Sequence, residues 1–402
     1  MFHARALVAV QTAVTLALCL VVPRTHADDG RQAAGEIEIR RVPNGGIQPE
    51  GAIDVKGDLQ LIYFAGDPAG GDVFYVRSAD AGRSFSTPVR VNSQPGSAIA
   101  VGTIRGGQLA VGRSGRVHVT WNGSDKAEPR GPVNPVMKQR GAPFLYARST
   151  PDGSGFEAQR NLAPRTFTID GGGSVAADPQ GHVYAVFHGN REGEPGTEER
   201  RAVWVARSDD DGETFAPEIM AWQRPTGVCG CCQSRAIASA TSLTILYRAA
   251  ANLSNRDVYA LTSRDGGATF NGGVVQPWSI AACPMTSMSL ASRGARVVGA
   301  WETNGQVSFA DIDARSGVVG PATAAPGQPG GRKHPRLALA GSGEMLLVWT
   351  ENTGWSRGGS IAWQVYDASG RPKGPLGTAP GSPVWSFATP VAKPGGGFVI
   401  FY

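Results

Sequence analysis

Beyond its first 27 residues this chain has no apolar run long enough to cross a bilayer, little net charge, and only four cysteines. The first absence excludes a helical membrane span from the body of the chain. The second excludes the basic surface that a nucleic-acid partner requires. The formal charge of +5 falls to +3 once Arg5 and Arg24 are lost with residues 1–27. Glycine and proline are plentiful instead, at 55 and 28 of 402 residues. They recur at intervals rather than in one linker, which is the turn chemistry of many short strands.

The N-terminus reads as a secretory signal peptide. Arg5 precedes an apolar stretch from Ala6 to Val22, and Thr25, His26 and Ala27 flank a cleavage point. The stretch is short for a membrane anchor, and Leu18 before Cys19 is too bulky for a lipoprotein site. The expectation is an exported protein, periplasmic or extracellular, whose residues 28–402 form a single domain.

Four segments share the pattern Ser-x-Asp-x-Gly-x-(Ser/Thr)-Phe, beginning at Ser78, Ser208, Ser263 and, in degenerate form, Ser149. In this pattern Asp accepts backbone N–H bonds, Gly takes a positive φ, the hydroxyl closes the turn and Phe packs beneath it. An alternating strand precedes each copy, so each motif sits on a hairpin between two outer strands. Ahead of each hairpin lie two more strands, the second ending near an aromatic such as Trp121, Phe187 or Trp349.

Four strands per unit, repeated about every 40 to 65 residues, predict an all-β propeller of four-stranded blades. Units start near Pro49, Ala98, Asp170, Cys229, Cys283 and His334, with a half unit from Val384 to Tyr402. The N-terminal strand at residues 36–40 has no blade of its own. Joined to the C-terminal half unit it would close the ring, which favours seven blades over six.

These Asp boxes make the chain resemble the sialidase superfamily of Asp-box, or bacterial neuraminidase repeat, propellers over nearly all of residues 28–402. The resemblance implies ligand binding at the central mouth, remote from the Asp boxes. For a sialidase it also implies an arginine trio gripping a carboxylate, a Tyr nucleophile with a Glu partner, and an Asp acid or base. The family's early Arg-Ile-Pro motif is missing from the first innermost strand, where Gln48, Pro49 and Glu50 stand. The nearest match, Arg41-Val42-Pro43, is loose and lies earlier.

Arg105, Arg235 and Arg336 are expected on innermost strands of separate blades, either as ligand contacts or as ion pairs between blades. The carboxylates in reach are Glu50, Asp54, Asp170, Glu302 and Glu351, with Glu50 and Asp170 the catalytic candidates beside Tyr247. Tyr247 and Tyr402 end second strands, where an aromatic wedge competes with a nucleophile. His118, His182 and His188 sit among apolar neighbours, as satisfied core histidines do. Residues 125–139 read as an insertion in the second blade.

The cysteines Cys229, Cys231, Cys232 and Cys283 form the other constellation. Cys232, Cys283 and His334 are expected at comparable places in three consecutive blades, with Met285 or Met288 nearby. Three outcomes stay open: disulfides, one of them stapling the Cys229–Cys232 cluster to Cys283; a copper or zinc site; or a reactive thiol.

The function expected first is recognition of a carbohydrate or similar polar ligand at the mouth, with glycoside hydrolysis if two carboxylates, or a Tyr and a carboxylate, converge there. A metal or redox protein built on the cysteines and His334 is the second reading. A scaffold binding a protein across one face is the third. A monomer is expected, and no cofactor beyond copper or zinc.

Overall fold

In a computed structural model, which describes Met1 and residues 37–402 except 137 and 139, the strands form seven separate sheets. The expected signal peptide lies outside the described residues, Met1 aside. Six sheets have four strands in sequential antiparallel order. These blades span residues 47–90, 108–161, 174–220, 235–276, 289–324 and 332–382. The seventh has three strands, Thr389–Ala392, Phe398–Phe401 and, parallel to the latter, Ile37–Arg40. Seven blades, not six, close the ring, and the N-terminal strand removes the exposed edge of the last one.

Each blade is too thin to bury its own faces, so the core lies between blades. The second-strand aromatics Trp121, Phe187, Tyr247, Trp301, Trp349 and Phe401 are all buried there. Among the described residues no helix is long and apolar enough to cross a membrane.

The Asp boxes fold as their chemistry dictates. In the third blade Asp210 accepts from the Thr214 amide at 2.8 Å and hydroxyl at 2.6 Å, while Ser208 Oγ accepts from the Gly212 amide at 2.8 Å. Gly212 has φ 77°, and a Cβ there would lie 1.8 Å from Tyr146 Oη of the preceding blade. The motif's Phe reaches the same neighbour: Phe215 meets the Tyr146 ring edge-on at 4.9 Å, as Phe156 meets Tyr75 at 5.4 Å. The motif therefore joins blades as well as turning a chain. In the degenerate copy Thr150, not Ser149, supplies the hydroxyl to Asp152.

Bonds from the Thr269 hydroxyl and amide hold Asp265 down to about 2, below the usual carboxylate value. A folded value below the unfolded one stabilises above the unfolded value and is lost as pH falls from about 4 towards 2. Asp265→Ala is expected to cost about 1 kcal/mol, limited by exposure of the turn. Urea unfolding at pH 7 and pH 2.5 checks this, with the difference between the two proteins shrinking at the lower pH.

Two innermost strands, Ile47–Ile53 and Arg332–Leu339, carry the same irregularity. Their pairing register shifts at Gln48-Pro49 and at His334-Pro335. Proline cannot donate to the ladder, so the strand bulges and the next side chain is re-aimed. In the first blade that side chain is Glu50, and in the sixth it is Arg336.

Candidate functional site

Both re-aimed side chains enter the central channel and meet there. Glu50 Oε1 lies 2.9 Å from Arg235 Nη1 and 3.0 Å from Arg336 Nη2, and Glu50 Oε2 lies 3.3 Å from Arg235 Nη2. Blades one, four and six are thus tied across the axis, and blade two joins through Gln108, which accepts from Arg235. Gln233 accepts from Arg336 at 3.1 Å. Burial acts to raise the Glu50 pKa, but Arg235 and Arg336 outweigh it and the net direction is downward. Arg336, fully enclosed, is pushed down to about 10 by burial. It also stands 4.0 Å from the centroid of the Phe387 ring, a cation–π contact. Glu50 therefore stays ionised at neutral pH and fills the guanidinium pair from within the chain.

Nearer the rim, Arg105 does not occupy its innermost strand, which begins at Gln108; it stands in the turn before it. From there it pairs with Asp170 and also donates to the Asp170 carbonyl at 3.2 Å. Arg201 Nη2 approaches the other Asp170 oxygen at 3.4 Å, and Asn122 holds the Asp170 carbonyl at 2.8 Å. Asp170 keeps 39% side-chain exposure, so this ion pair faces the mouth while the Glu50 cluster lies beneath. Burial pushes the Glu302 carboxyl up, and its Oε1 accepts from the Gly305 amide at 2.7 Å.

A shallow cleft between blades two, five, six and seven is lined by Thr103, Met285, Lys333, His334, Trp355 and Trp385. The two indoles meet edge to face at 6.2 Å, and Trp355 is half exposed. Thr103, Met285, His334 and Trp385 all have positive φ, between 46° and 71°. Left-handed backbone at these non-glycine residues is strain held in the chain around the cleft. Neither tryptophan stands out in the sequence, because each lies in a loop outside the repeated strands.

The remaining candidates are structural in their contacts. Tyr247 is buried, stacks on Tyr259 at 5.5 Å and bonds Thr226 at 2.9 Å; burial pushes its hydroxyl pKa up. His118 bonds Tyr146 at 2.8 Å and His182 bonds Asp178 at 2.7 Å. Burial holds His188 down to about 3, so it is neutral beneath the rim. Asp54 caps its own turn through the Lys56 and Asp58 amides, and Glu351 pairs with Arg332. The second-blade insertion is fastened to blade one by Gln94, which accepts from the Glu128 amide at 2.7 Å.

A disulfide joins Cys231 to Cys283, linking the entries of blades four and five. Cys229 and Cys232 are free and buried, with Sγ atoms 3.0 Å apart, and Cys229 Sγ is 3.4 Å from Cys231 Sγ. Arg201 lies directly against this loop: a Cβ on Gly230 would stand 1.8 Å from its Nη1. The Gly230 amide donates to Glu198 at 2.7 Å. His334 takes Ser287 as its partner, at 3.3 Å, and packs beside Phe387.

The fold is that of a sialidase-like β-propeller. The Hadza microbial sialidase Hz136 is similar with a TM-score of 0.51 and 14% identity, over 76% of this chain and 64% of that one. The present chain thus spans just under two-thirds of that sialidase. The Penicillium chrysogenum α-L-arabinanase complexed with arabinobiose gives 0.52 and 13%, over 82% and 95%. A protein of unknown function from Dyadobacter fermentans DSM 18053 gives 0.51 and 14%, over 86% and 96%. No family model and no curated protein matches the sequence.

Proposed function

We propose that this chain is an exported propeller that recognises a carbohydrate or similar polar ligand at its central mouth, and that the ligand is neutral rather than a sialic acid. The observation that carries the reading is the pairing of Trp355 and Trp385 over a polar cleft, since sugar rings stack on indoles while their hydroxyls seek charged hydrogen-bond partners. Arg105 and Asp170 are such partners within the same mouth. Arg235 and Arg336 form the floor and act on the ligand only through Glu50, which already occupies the place a ligand carboxylate would take.

Hydrolysis would call on two carboxylates in opposite states. Asp170, held down by its arginines, faces the mouth, whereas Glu302, pushed up by burial, is enclosed in the fifth blade. Similarity to a sialidase and to an arabinanase supports glycan chemistry without choosing a substrate.

Tryptophan fluorescence during titration with neutral oligosaccharides tests this reading. Quenching by at least one glycan, weakened about tenfold or more in Trp355→Ala at unchanged melting temperature, is the expected result. Equal affinity in Trp355→Ala and in Arg105→Gln would remove the cleft from the function.

A further inference from the structure

We propose that Cys229, Cys231, Cys232 and Cys283 form a site for one thiophilic d10 cation, copper(I) or zinc, which is closed while Cys231 and Cys283 are joined and opens when that disulfide is reduced. This goes beyond ligand binding at the mouth and does not depend on it.

Convergence is the first argument. Sγ atoms of Cys229, Cys231 and Cys232 all lie within 4.8 Å of one another, and Cys283 is bonded to one of them. Four sulfurs from two blades therefore share one small volume. The backbone holds them there: the Cys229 amide donates to the Arg248 carbonyl at 2.9 Å, and the Gln233 amide donates to the Thr286 carbonyl at 3.1 Å. On the other blade, Lys333 Nζ donates to the Pro284 carbonyl at 2.7 Å and Arg256 Nε to the Ala282 carbonyl at 3.3 Å, so Cys283 is bracketed on both sides. A set positioned before binding loses little entropy on closing around an ion.

Cations and acids both stand near the cluster. Arg248 faces Cys232, and Arg256 and Lys333 hold the Cys283 segment. Glu198 and Glu302 are the acids that act on the cluster, and Glu198 is itself paired with Arg256 at 2.9 Å. An all-sulfur donor set selects soft ions and offers nothing to magnesium or calcium.

Access sets the order of events. Cys283 is exposed and Cys231 partly so, whereas Cys229 and Cys232 are buried, so a reductant meets the disulfide before the thiols. Reduction by a small dithiol breaks the Cys231–Cys283 bond. The dithiol closes to its own disulfide, two electrons pass inward, and its two protons end on the two protein sulfurs. Cation binding then releases thiol protons to solvent.

The test uses the whole exported protein, reduced and then freed of reductant without oxygen. It is titrated in separate arms with copper(I) held by a competing chelator and with zinc, alongside the oxidised protein. About one equivalent bound by the reduced protein in either arm, and none by the oxidised protein or by reduced C229S/C232S, is the expected result. The arm that binds identifies the ion. If the double variant fails to melt cooperatively, C232S alone takes its place, with the affinity expected to fall at least tenfold. Four titratable thiols with no uptake in either arm would overturn the proposal, as would equal uptake by oxidised protein.

Discussion

Glu50→Ala is expected to cost about 3–5 kcal/mol, the penalty for leaving buried charges without their partner. The carboxylate is shared by Arg235 and Arg336 at 2.9 and 3.0 Å, and Arg336 is enclosed, so removing it strands two guanidiniums around the axis of the ring. Glu50→Gln keeps the shape but not the charge and should fall between the two. Because the folded Glu50 value is depressed, its contribution is present above the ordinary glutamate range and is lost as pH falls through the folded value. Wild type should therefore lose its advantage over Glu50→Gln in acid. Equilibrium unfolding at several pH values measures this. Formate, a carboxylate small enough for the vacated space, should raise the melting temperature of Glu50→Ala more than chloride at equal ionic strength.

A chain starting at Arg41 is expected to lose a further large share of stability, about 3–5 kcal/mol relative to one starting at Asp28. The strand Ile37–Arg40 closes the ring by parallel pairing with Phe398–Phe401, and Ile37 and Ile39 pack partly buried against the seventh blade. Losing two partly buried isoleucines and the ladder bonds accounts for the figure. The consequence extends beyond energy, because an apolar strand of Phe398, Val399, Ile400 and Phe401 becomes a free edge. Light scattering should show concentration-dependent association of the truncated chain, while chemical denaturation reports the lost stability.

The propeller was legible because its signals are local and repeated. Each Asp box needs particular residues within eight positions, and each blade repeats the same alternation before it. The closing strand was legible for a related reason: a strand without a blade at one end matches a half blade at the other. The Cys231–Cys283 staple was one of several pairings that the cysteine positions allowed.

The floor of the mouth was harder to read. Arg235, Arg336 and Glu50 are each visible in the sequence, but their meeting depends on proline-driven bulges in blades one and six. Gln48-Pro49-Glu50 and His334-Pro335-Arg336 carry that signal in matching form, as a proline followed by a charge at one blade position. The innermost strand of the first blade thus carries a carboxylate and no arginine. Trp355 and Trp385 gave no signal, since single aromatics in loops look alike until the ring brings them together.

Calorimetric titration of the wild-type protein with neutral oligosaccharides and with free sialic acid, paired with an assay for release of sialic acid from a fluorogenic sialoside, addresses the mouth most directly. With Glu50 filling the arginine pair, saturable heat with a neutral glycan, none with sialic acid and no release are expected. Saturable binding of sialic acid, or its release, with neutral glycans silent would show that the guanidiniums remain available to a ligand, contrary to a floor sealed by the chain's own carboxylate.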